Sequence, residues 1–216
     1  MDVLVSFLLV IGCYLLGSVN GSILLTRVLR IRDIRLQGSG NAGATNMARV
    51  HGLGYGLLTL FLDMFKGFVC TQAGRLLLGD VGVMLGGMAC LVGHCFPVFY
   101  GFKGGKGISV GAMLALAVDW RVCVAVFVAF FVVAPLSRKV SLGSVCACVT
   151  FPVASFLVGV SIPKLALALF TMVLILFQHR GNIRRLLNGT EPDFRAASPK
   201  KKKGRHPSES AFAAAI

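Results

Sequence analysis

Long apolar runs alternate with short polar connections along most of the chain. Seven apolar segments can be separated, at about residues 3–25, 52–70, 81–98, 108–118, 122–136, 142–160 and 165–177. Several are shorter than the ~20 residues that cross a bilayer comfortably, so we expect tilted or broken helices among them. The pattern predicts an all-α, polytopic integral membrane protein with about seven transmembrane helices.

Composition leaves no room for a separate soluble domain. Hydrophobic residues make up 56% of the chain and charged residues only 14%, whereas a soluble domain has about 25% charged residues. We therefore predict one transmembrane domain over residues 1–195 and a basic, disordered cytoplasmic tail over residues 196–216. The tail contains Lys200–Lys203. Two interpretations remain open: the lysines are attracted to anionic lipid, or the tail is a solvated segment without a role.

The net charge of +14 falls mainly on one side of the predicted spans. Of the 22 Lys and Arg residues, 18 lie in the connections 26–51, 99–107 and 137–141 and after residue 178, and three lie in the other connections. The positive-inside rule then predicts an outside N-terminus and a cytoplasmic C-terminus. No nucleic-acid partner is needed to explain the charge. The start Met-Asp-Val has no basic region, so we expect the first helix to be retained rather than cleaved as a signal peptide.

The seven cysteines fall mostly inside apolar runs and form no CxxC pair. We interpret them as buried, inert thiols rather than as disulfides or metal ligands.

A glycine-rich stretch with two lysines lies between the third and fourth apolar segments. It reads GFKGGKG over residues 101–107 and contains Lys103, Gly104, Gly105, Lys106 and Gly107. Exposed backbone N–H groups beside positive charge favour phosphate binding, and the alternative is a flexible loop whose lysines set topology. A Walker A loop is excluded, because Lys106 is followed by glycine and no strand precedes it. His94, at the inner end of the preceding segment, is a further candidate site residue, and the alternative is an ordinary hydrogen-bond donor at a helix end.

A second polar stretch, residues 38–49, reads GSGNAGATNMAR. Its hydroxyl, amide and guanidinium groups suit an oxyanion ligand. The candidate binding residues are Ser39, Asn41, Thr45, Asn46 and Arg49. The alternative is a polar turn in which Thr45 or Asn46 caps the next helix.

Two more polar stretches follow on the same predicted side. In residues 137–144, Ser141 is expected at the N-cap of the sixth segment beside Arg and Lys, which is either an anion site or ordinary capping. In residues 179–191, His179 and Asn182 share a face if the seventh segment continues as helix. Histidine is the usual base at neutral pH, and Glu191 is expected to tie the following loop to an arginine.

Asp63 and Lys66 lie at i, i+3 inside the second apolar segment. Charges at that depth are costly and usually paired. We favour a structural ion pair over a polar cavity lined by the two residues.

The chain resembles the bacterial membrane acyltransferases that move an acyl chain from acyl phosphate to glycerol 3-phosphate. The resemblance covers about residues 15–194 and is carried by residues 38–49, by 93–107 and by HRGNIRRLLNGTE at 179–191, with support from LDMFKG at 62–67 and VSL at 140–142. The tail after Phe194 is not covered.

The resemblance implies an enzyme of phospholipid synthesis that makes lysophosphatidic acid and releases phosphate, with no metal or other cofactor. Carried over by position, it implies that Ser39 and Arg49 are required, that the glycine motif binds acyl phosphate and that Ser141 contacts phosphate. It also implies that His179 and Asn182 are required and that Glu191 is structural.

The implied setting is the bacterial inner membrane, with the active site at the cytoplasmic face. The implied partners are membrane lipid and an enzyme that supplies acyl phosphate, and we favour a monomer. Direct attack by the glycerol hydroxyl on the acyl carbonyl is preferred, with His179 or substrate phosphate taking the proton. A transporter or channel for a small anion is the alternative function.

Overall fold

The structure is a computed structural model that describes residues 3–194, which form nine α-helices and no strand. The predicted tail, including Lys200–Lys203, lies outside the described residues. The helices are α1 (Val3–Ser18), α2 (Gly21–Val28), α3 (Ala44–His51), α4 (Leu53–Cys95), α5 (Ile108–Val118), α6 (Trp120–Ser137), α7 (Val140–Val158), α8 (Ile162–Gln178) and α9 (Arg180–Leu187).

Several of these helices are long and apolar enough to cross a membrane. By length and composition, α4, α6 and α7 each qualify, and the bent pairs α1–α2 and α8–α9 raise the number to as many as five among the described residues. The predicted all-α membrane class is confirmed.

Helix α4 reverses direction at Leu78 and Gly79, whose backbone angles are not helical. A Cβ atom added to Gly74 would lie 2.1 Å from the carbonyl oxygen of Gly82, and one added to Gly86 would lie 2.6 Å from that of Cys70. The contacts 74–82 and 70–86 are symmetric about residue 78, so the two halves run antiparallel. The predicted segments 52–70 and 81–98 are therefore the arms of one helical hairpin, and the first arm continues past residue 70.

The first predicted segment is one bent unit rather than a straight helix. Helices α1 and α2 meet at an angle of 48°. Asn20 occupies the break, and its Oδ1 atom accepts hydrogen bonds from the backbone N–H groups of Ser22 (3.1 Å) and Ile23 (3.2 Å). This N-cap starts α2 and leaves the carbonyls at the end of α1 free for other donors.

The later helices agree with the predicted segments, with two corrections. The fourth segment matches α5, and only Asp119 separates it from α6. Ser141 was expected at the N-cap of α7, but that expectation is wrong: Lys139 is the cap and Ser141 lies in the first turn. The seventh segment does not continue straight, since α9 leaves α8 at 64° with His179 at the bend.

At one end of the helices, a hydrogen bond and an ion pair connect the tip of the α4 hairpin to the start of α8. The carboxylate of Asp80, at the tip of the α4 hairpin, accepts a hydrogen bond from Ser161 (2.6 Å) and pairs with Lys164 (2.9 Å). Of the seven cysteines, six are buried and Cys146 is half-buried, and all seven are free thiols, as predicted. The polar stretches that carry candidate chemistry lie at the opposite end.

Candidate active site

All four polar stretches of the sequence meet at one end of the helices. We refer to residues 38–49 as the first loop and to residues 101–107 as the glycine loop. Gln178 Nε2 donates to the carbonyl of Gly105 (3.3 Å), Lys106 Nζ donates to Asn182 Oδ1, and Lys139 Nζ donates to the carbonyl of Glu191. These bonds join the glycine loop to α8 and α9, and the segment after α9 to the residue that caps α7. The first loop reaches the same place, because a Cβ atom added to Gly105 would lie 2.7 Å from the carbonyl oxygen of Ala42.

The first loop is organised by the side chain of Asn46, which is buried. Its Nδ2 group faces the carbonyls of Ile34 (3.2 Å), Gln37 (3.0 Å) and Asn41 (3.0 Å), and its Oδ1 atom accepts from the N–H of Ser39 (2.9 Å). The amide thus folds the loop back over the start of α3. Its hydrogen-bonding groups are occupied by protein backbone.

Three other candidates on the first loop keep their side chains available. Ser39 is exposed, and Thr45 and Arg49 are half-buried. The hydroxyls of Ser39 and Thr45 make no side-chain hydrogen bond within residues 3–194. The guanidinium of Arg49 lies 5.9 Å from the ring centre of Phe194, in cation–π contact. These side chains can therefore bind a ligand without first breaking a protein hydrogen bond.

The glycine loop needs its glycines because it lies directly on the end of α4. The N–H of Gly104 donates to the carbonyl of Cys95 (3.2 Å), and the N–H of Gly105 donates to that of His94 (3.1 Å). A Cβ atom at Gly104 would lie 2.1 Å from the His94 carbonyl oxygen, and one at Gly105 would lie 2.2 Å from His94 Nε2. No side chain larger than hydrogen fits either position.

A cavity of about 290 Å³ opens beside this loop. Its wall includes three cationic residues, two amides and two phenylalanines: Lys103, Lys106, Arg180, Asn41, Gln178, Phe96 and Phe102. Cations beside apolar rings match a ligand that joins an anionic group to a hydrocarbon chain.

A hydrogen-bonded chain leads from the cavity wall into the protein. Lys106 Nζ donates to Asn182 Oδ1, Asn182 Nδ2 donates to Glu191 Oε1 (2.7 Å), and Arg185 Nε donates to Glu191 Oε2 (2.7 Å). The predicted tie between Glu191 and an arginine is confirmed. Burial lowers the pKa of Lys106 to about 8.

The Glu191 carboxylate stays ionised despite being buried. Burial by itself raises its pKa, but contacts with Ser141, Asn182 and Arg185 outweigh that effect and the pKa lies below its usual value. The Ser141 hydroxyl is close to the carboxylate, yet it is buried without a hydrogen bond of good geometry within the described residues. It is thus an available donor beside the chain that holds Lys106.

His179 lies at the bend between α8 and α9 and is buried. Its Nδ1 atom is 2.9 Å from the carbonyl oxygen of Ile175. Because a carbonyl only accepts, Nδ1 carries the proton and the lone pair of a neutral ring is on Nε2. This tautomer leaves a proton acceptor on Nε2, although His179 is not among the residues that line the cavity.

Behind the glycine loop lies a buried charged cluster. The predicted ion pair between Asp63 and Lys66 is present, with Nζ 3.1 Å from Oδ1. Lys66 also contacts Nδ1 of His94 at 3.0 Å. Among residues 3–194, no cluster of three or more His, Cys, Asp or Glu side chains could hold a metal ion.

Four residues of the site were not singled out from the sequence. Lys139, Gln178, Arg180 and Arg185 flank the predicted motifs, and their charge or amide character was the only available signal. The partners of Lys139 and Gln178 are distant in sequence and that of Arg180 is a backbone carbonyl, so spacing alone could not identify these three residues. Arg185 is the arginine partner that was expected for Glu191 but not named.

The fold defines an integral membrane protein, and the lining of the cavity suits an anionic ligand that has an apolar part. The family model described as glycerol-3-phosphate acyltransferase matches residues 7–189. The chain belongs to this family, and it is an acyltransferase.

Relatives of similar length support the assignment. A glycerol-3-phosphate acyltransferase of Finegoldia magna is 36% identical, with 88% of this chain and 97% of the relative covered. One from Jannaschia sp. is 42% identical, with 83% and 88% covered.

Two solved structures have the same fold. The crystal structure of PlsY (YgiH), an integral membrane glycerol 3-phosphate acyltransferase, in its glycerol 3-phosphate form matches with a TM-score of 0.84 and 37% identity, covering 88% of this chain and 96% of that one. Its lysophosphatidic acid form matches with a TM-score of 0.82 and 36% identity, covering 88% and 95%.

Proposed function

We propose that this protein transfers an acyl chain from acyl phosphate to glycerol 3-phosphate, giving lysophosphatidic acid and phosphate. The observation that carries the proposal is the cavity beside the glycine loop, where Lys103, Lys106 and Arg180 face the same space as Phe96 and Phe102. An acyl phosphate has the matching chemistry, an anionic head joined to a hydrocarbon chain. The product of the reaction combines the same two features.

The two phosphate groups are assigned to different parts of the site. The acyl phosphate head binds Lys103, Lys106 and the backbone N–H of Gly107. Gly104 and Gly105 were expected to offer bare N–H groups, but these donate to the carbonyls of Cys95 and His94, so the two glycines shape the loop instead. The second phosphate, that of glycerol 3-phosphate, binds the first loop through side chains that make no hydrogen bond with the described part of the protein, above all Ser39, Thr45 and Arg49. Asn41, which lines the cavity, and the buried hydroxyl of Ser141 complete the polar contacts.

The reaction is a direct acyl transfer. A hydroxyl oxygen of glycerol 3-phosphate attacks the acyl carbonyl carbon, the new ester C–O bond forms, and the bond from that carbon to the phosphate oxygen breaks. The hydroxyl proton goes to Nε2 of His179 or to a substrate phosphate oxygen. The backbone N–H groups at the end of the glycine loop, those of Lys106 and Gly107, stabilise the carbonyl oxygen while it carries negative charge.

Three residues act through others rather than on substrate. Asn182 uses both ends of its amide to connect Lys106 with Glu191, so we assign it to positioning Lys106. Glu191 anchors Asn182. Asn46 shapes the first loop through backbone contacts, which supports a positioning role instead of direct substrate binding.

The proposed setting is the bacterial inner membrane, with seven spans, an outside N-terminus and the site at the cytoplasmic face. Seven spans follow if the two arms of the α4 hairpin and the short α5 each cross the bilayer, since α1–α2, α6, α7 and α8–α9 supply the other four. The protein acts as a monomer and takes its donor from an enzyme that makes acyl phosphate.

The donor is tested with purified protein in detergent, with no membrane gradient. We expect turnover of glycerol 3-phosphate with acyl phosphate and little turnover with acyl-CoA. A strong preference for acyl-CoA would refute the proposed donor, and binding of substrates without turnover would support a transporter instead.

The proton acceptor is tested with His179→Ala. Removal of a general base lowers kcat by about 100-fold or more, while the detergent-solubilised protein keeps its elution volume and Tm. His51→Ala is the matched control, because His51 lies on α3 and takes no part in the proposed chemistry. Near-normal kcat in the His179 variant would remove this residue from the mechanism and leave the substrate phosphate as the acceptor.

A further inference from the structure

We infer that Asp63 and Lys66, deep in the α4 hairpin, are positioning residues for the acyl phosphate site: they fix the ring of His94 behind the glycine loop. The inference rests on the proposed function for the identity of the ligand. It goes beyond that function because it predicts that the buried ion pair affects the binding of acyl phosphate and not that of glycerol 3-phosphate.

Lys66 is held where the helix pair α1–α2 is broken. Its side chain is 5% exposed and that of Asp63 is 0% exposed. The ammonium group donates to the carbonyls of Gly17 (2.9 Å) and Val19 (2.8 Å), which the break leaves without helical partners. Asp63 Oδ1 balances the charge at 3.1 Å and also accepts the N–H of Gly21 (3.3 Å).

The same ammonium selects the tautomer of His94. Nζ lies 3.0 Å from His94 Nδ1, and an ammonium can only donate. Nδ1 therefore accepts, and the proton of the neutral ring is on Nε2. The opposite tautomer would donate from Nδ1 to Asp63 Oδ1 over a longer distance, 3.5 Å, and would aim its N–H proton towards the ammonium group.

His94 in turn fixes the glycine loop. The ring is 2% exposed, and its Nε2 atom fills the space in which a side chain at Gly105 would begin. The backbone of His94 also accepts the N–H of Gly105 at 3.1 Å. Gly105 and Lys106 line the cavity, so a displaced ring shifts the wall that is proposed to hold the acyl phosphate head.

The test replaces both charges together. Lys66→Met alone leaves the Asp63 carboxylate buried without its cation, which is strongly destabilising, whereas the double variant Asp63→Asn/Lys66→Met removes both charges. The matched control is Asp80→Asn/Lys164→Met, which removes the ion pair at the opposite end of the helices. His94→Gln removes the ring and keeps the buried charges. Elution volume and Tm in detergent identify the folded variants.

Two readouts separate positioning from a merely structural role. The KM for acyl phosphate is expected to rise about tenfold in the Asp63/Lys66 double variant and in His94→Gln, as for a lost buried hydrogen bond. The KM for glycerol 3-phosphate is expected to change less than about twofold, and the Asp80/Lys164 control to leave both constants unchanged. In ¹⁵N-histidine-labelled protein, the His94 signal, assigned by its loss in His94→Gln, is that of an Nε2–H ring and changes in the double variant.

The outcomes are distinct. An unchanged KM for acyl phosphate in a folded double variant, or a His94 signal that does not respond to the loss of Lys66, overturns the inference. If the double variant does not fold, an unchanged KM in His94→Gln overturns it equally. Wild-type protein that uses acyl-CoA but not acyl phosphate refutes the proposed function instead, and the NMR readout then still tests whether Lys66 sets the His94 tautomer.

Discussion

Lys106 combines a positive charge with a half-buried position in the cavity wall. Burial lowers its pKa to about 8, and the Oδ1 atom of Asn182 accepts a hydrogen bond from its ammonium group. A lysine in this state is charged near neutral pH but loses its charge within the range that an enzyme assay covers. The residue therefore gives the site a pH dependence that an arginine at the same place would lack.

The pH dependence of kcat/KM for acyl phosphate tests the role of Lys106. Since the ammonium form binds phosphate, kcat/KM is expected to fall as pH rises through about 8. In Lys106→Arg the side chain stays charged, so the fall in that range is expected to disappear, whatever the absolute activity. An alkaline fall that is the same in both proteins would assign the titration to another group.

The titration of Lys106 is expected to affect the stability of the fold in the opposite direction to its effect on kcat/KM. Because the pKa of Lys106 is about 8 in the folded protein and 10.5 when unperturbed, the unfolded chain binds more protons between these values. The contribution of Lys106 to stability therefore rises with pH over that interval. The Tm of wild type relative to that of Lys106→Arg is therefore expected to rise between about pH 8 and 10.5, whereas kcat/KM of wild type falls as the pH rises through about 8.

Side-chain roles could be predicted only where local sequence determines them. The tie from Glu191 to an arginine could be anticipated, because Arg185 is six residues away and lies on the preceding helix. The contacts of the Asn46 amide with three backbone carbonyls could not be anticipated, since an amide in a polar loop is equally typical of a ligand-binding group. His94 presents the same ambiguity, because its partner Lys66 is 28 residues distant.

The α4 hairpin shows how close contact between helix arms depends on glycine. Gly74 and Gly82 face each other, and a Cβ atom at Gly82 would lie 1.9 Å from the carbonyl oxygen of Gly74. The reversal itself places Gly79 at φ 59°, a conformation that costs other residues steric strain. The hairpin brings Lys66 and His94 side by side, so the arrangement behind the glycine loop depends on this element.

Gly82→Ala tests the hairpin. The added methyl group has no space without backbone movement, so the free energy of unfolding should fall by about 3 kcal/mol, which lowers Tm by about 10 °C for a chain of this length. Gly12→Ala on α1 is the matched control, because nothing lies within 4 Å of the added atom. Wild-type Tm in the Gly82 variant, measured in detergent, would contradict the close approach of the two arms.

Element boundaries followed the sequence where a breaker or a polar residue marks them. The predicted fourth segment, 108–118, coincides with α5 because glycines precede it and Asp119 follows it. The break between α1 and α2 was missed, since Val19-Asn20 interrupts an apolar run with a single polar side chain. Ser141 was misplaced by two positions because the α7 cap is Lys139, which supplies no side-chain cap bond.

On the scale of the whole molecule, the described residues divide into two polar ends. The site end carries the first loop, the glycine loop and α9, and it is rich in Arg and Lys. The other end carries the hairpin tip and the pair Asp80–Lys164. The charge asymmetry of the sequence predicted this division, because counting the basic residues in each connection requires no knowledge of packing. Which side chains meet within an end depends on helix packing, and the sequence does not specify it.

Labelling of single added cysteines tests the orientation of these two ends. Arg121→Cys lies at the end opposite the site, where the Arg121 side chain is 55% exposed, and Asn188→Cys lies at the site end on an exposed position after α9. Wild-type protein is the background, since six of its cysteines are buried and Cys146 is half-buried. With the site in the cytoplasm, a membrane-impermeant thiol reagent should label Arg121→Cys on intact cells and Asn188→Cys only after the membrane is opened. The reverse pattern would place the site outside and contradict the positive-inside assignment, and with it the supply of acyl phosphate from a cytoplasmic enzyme.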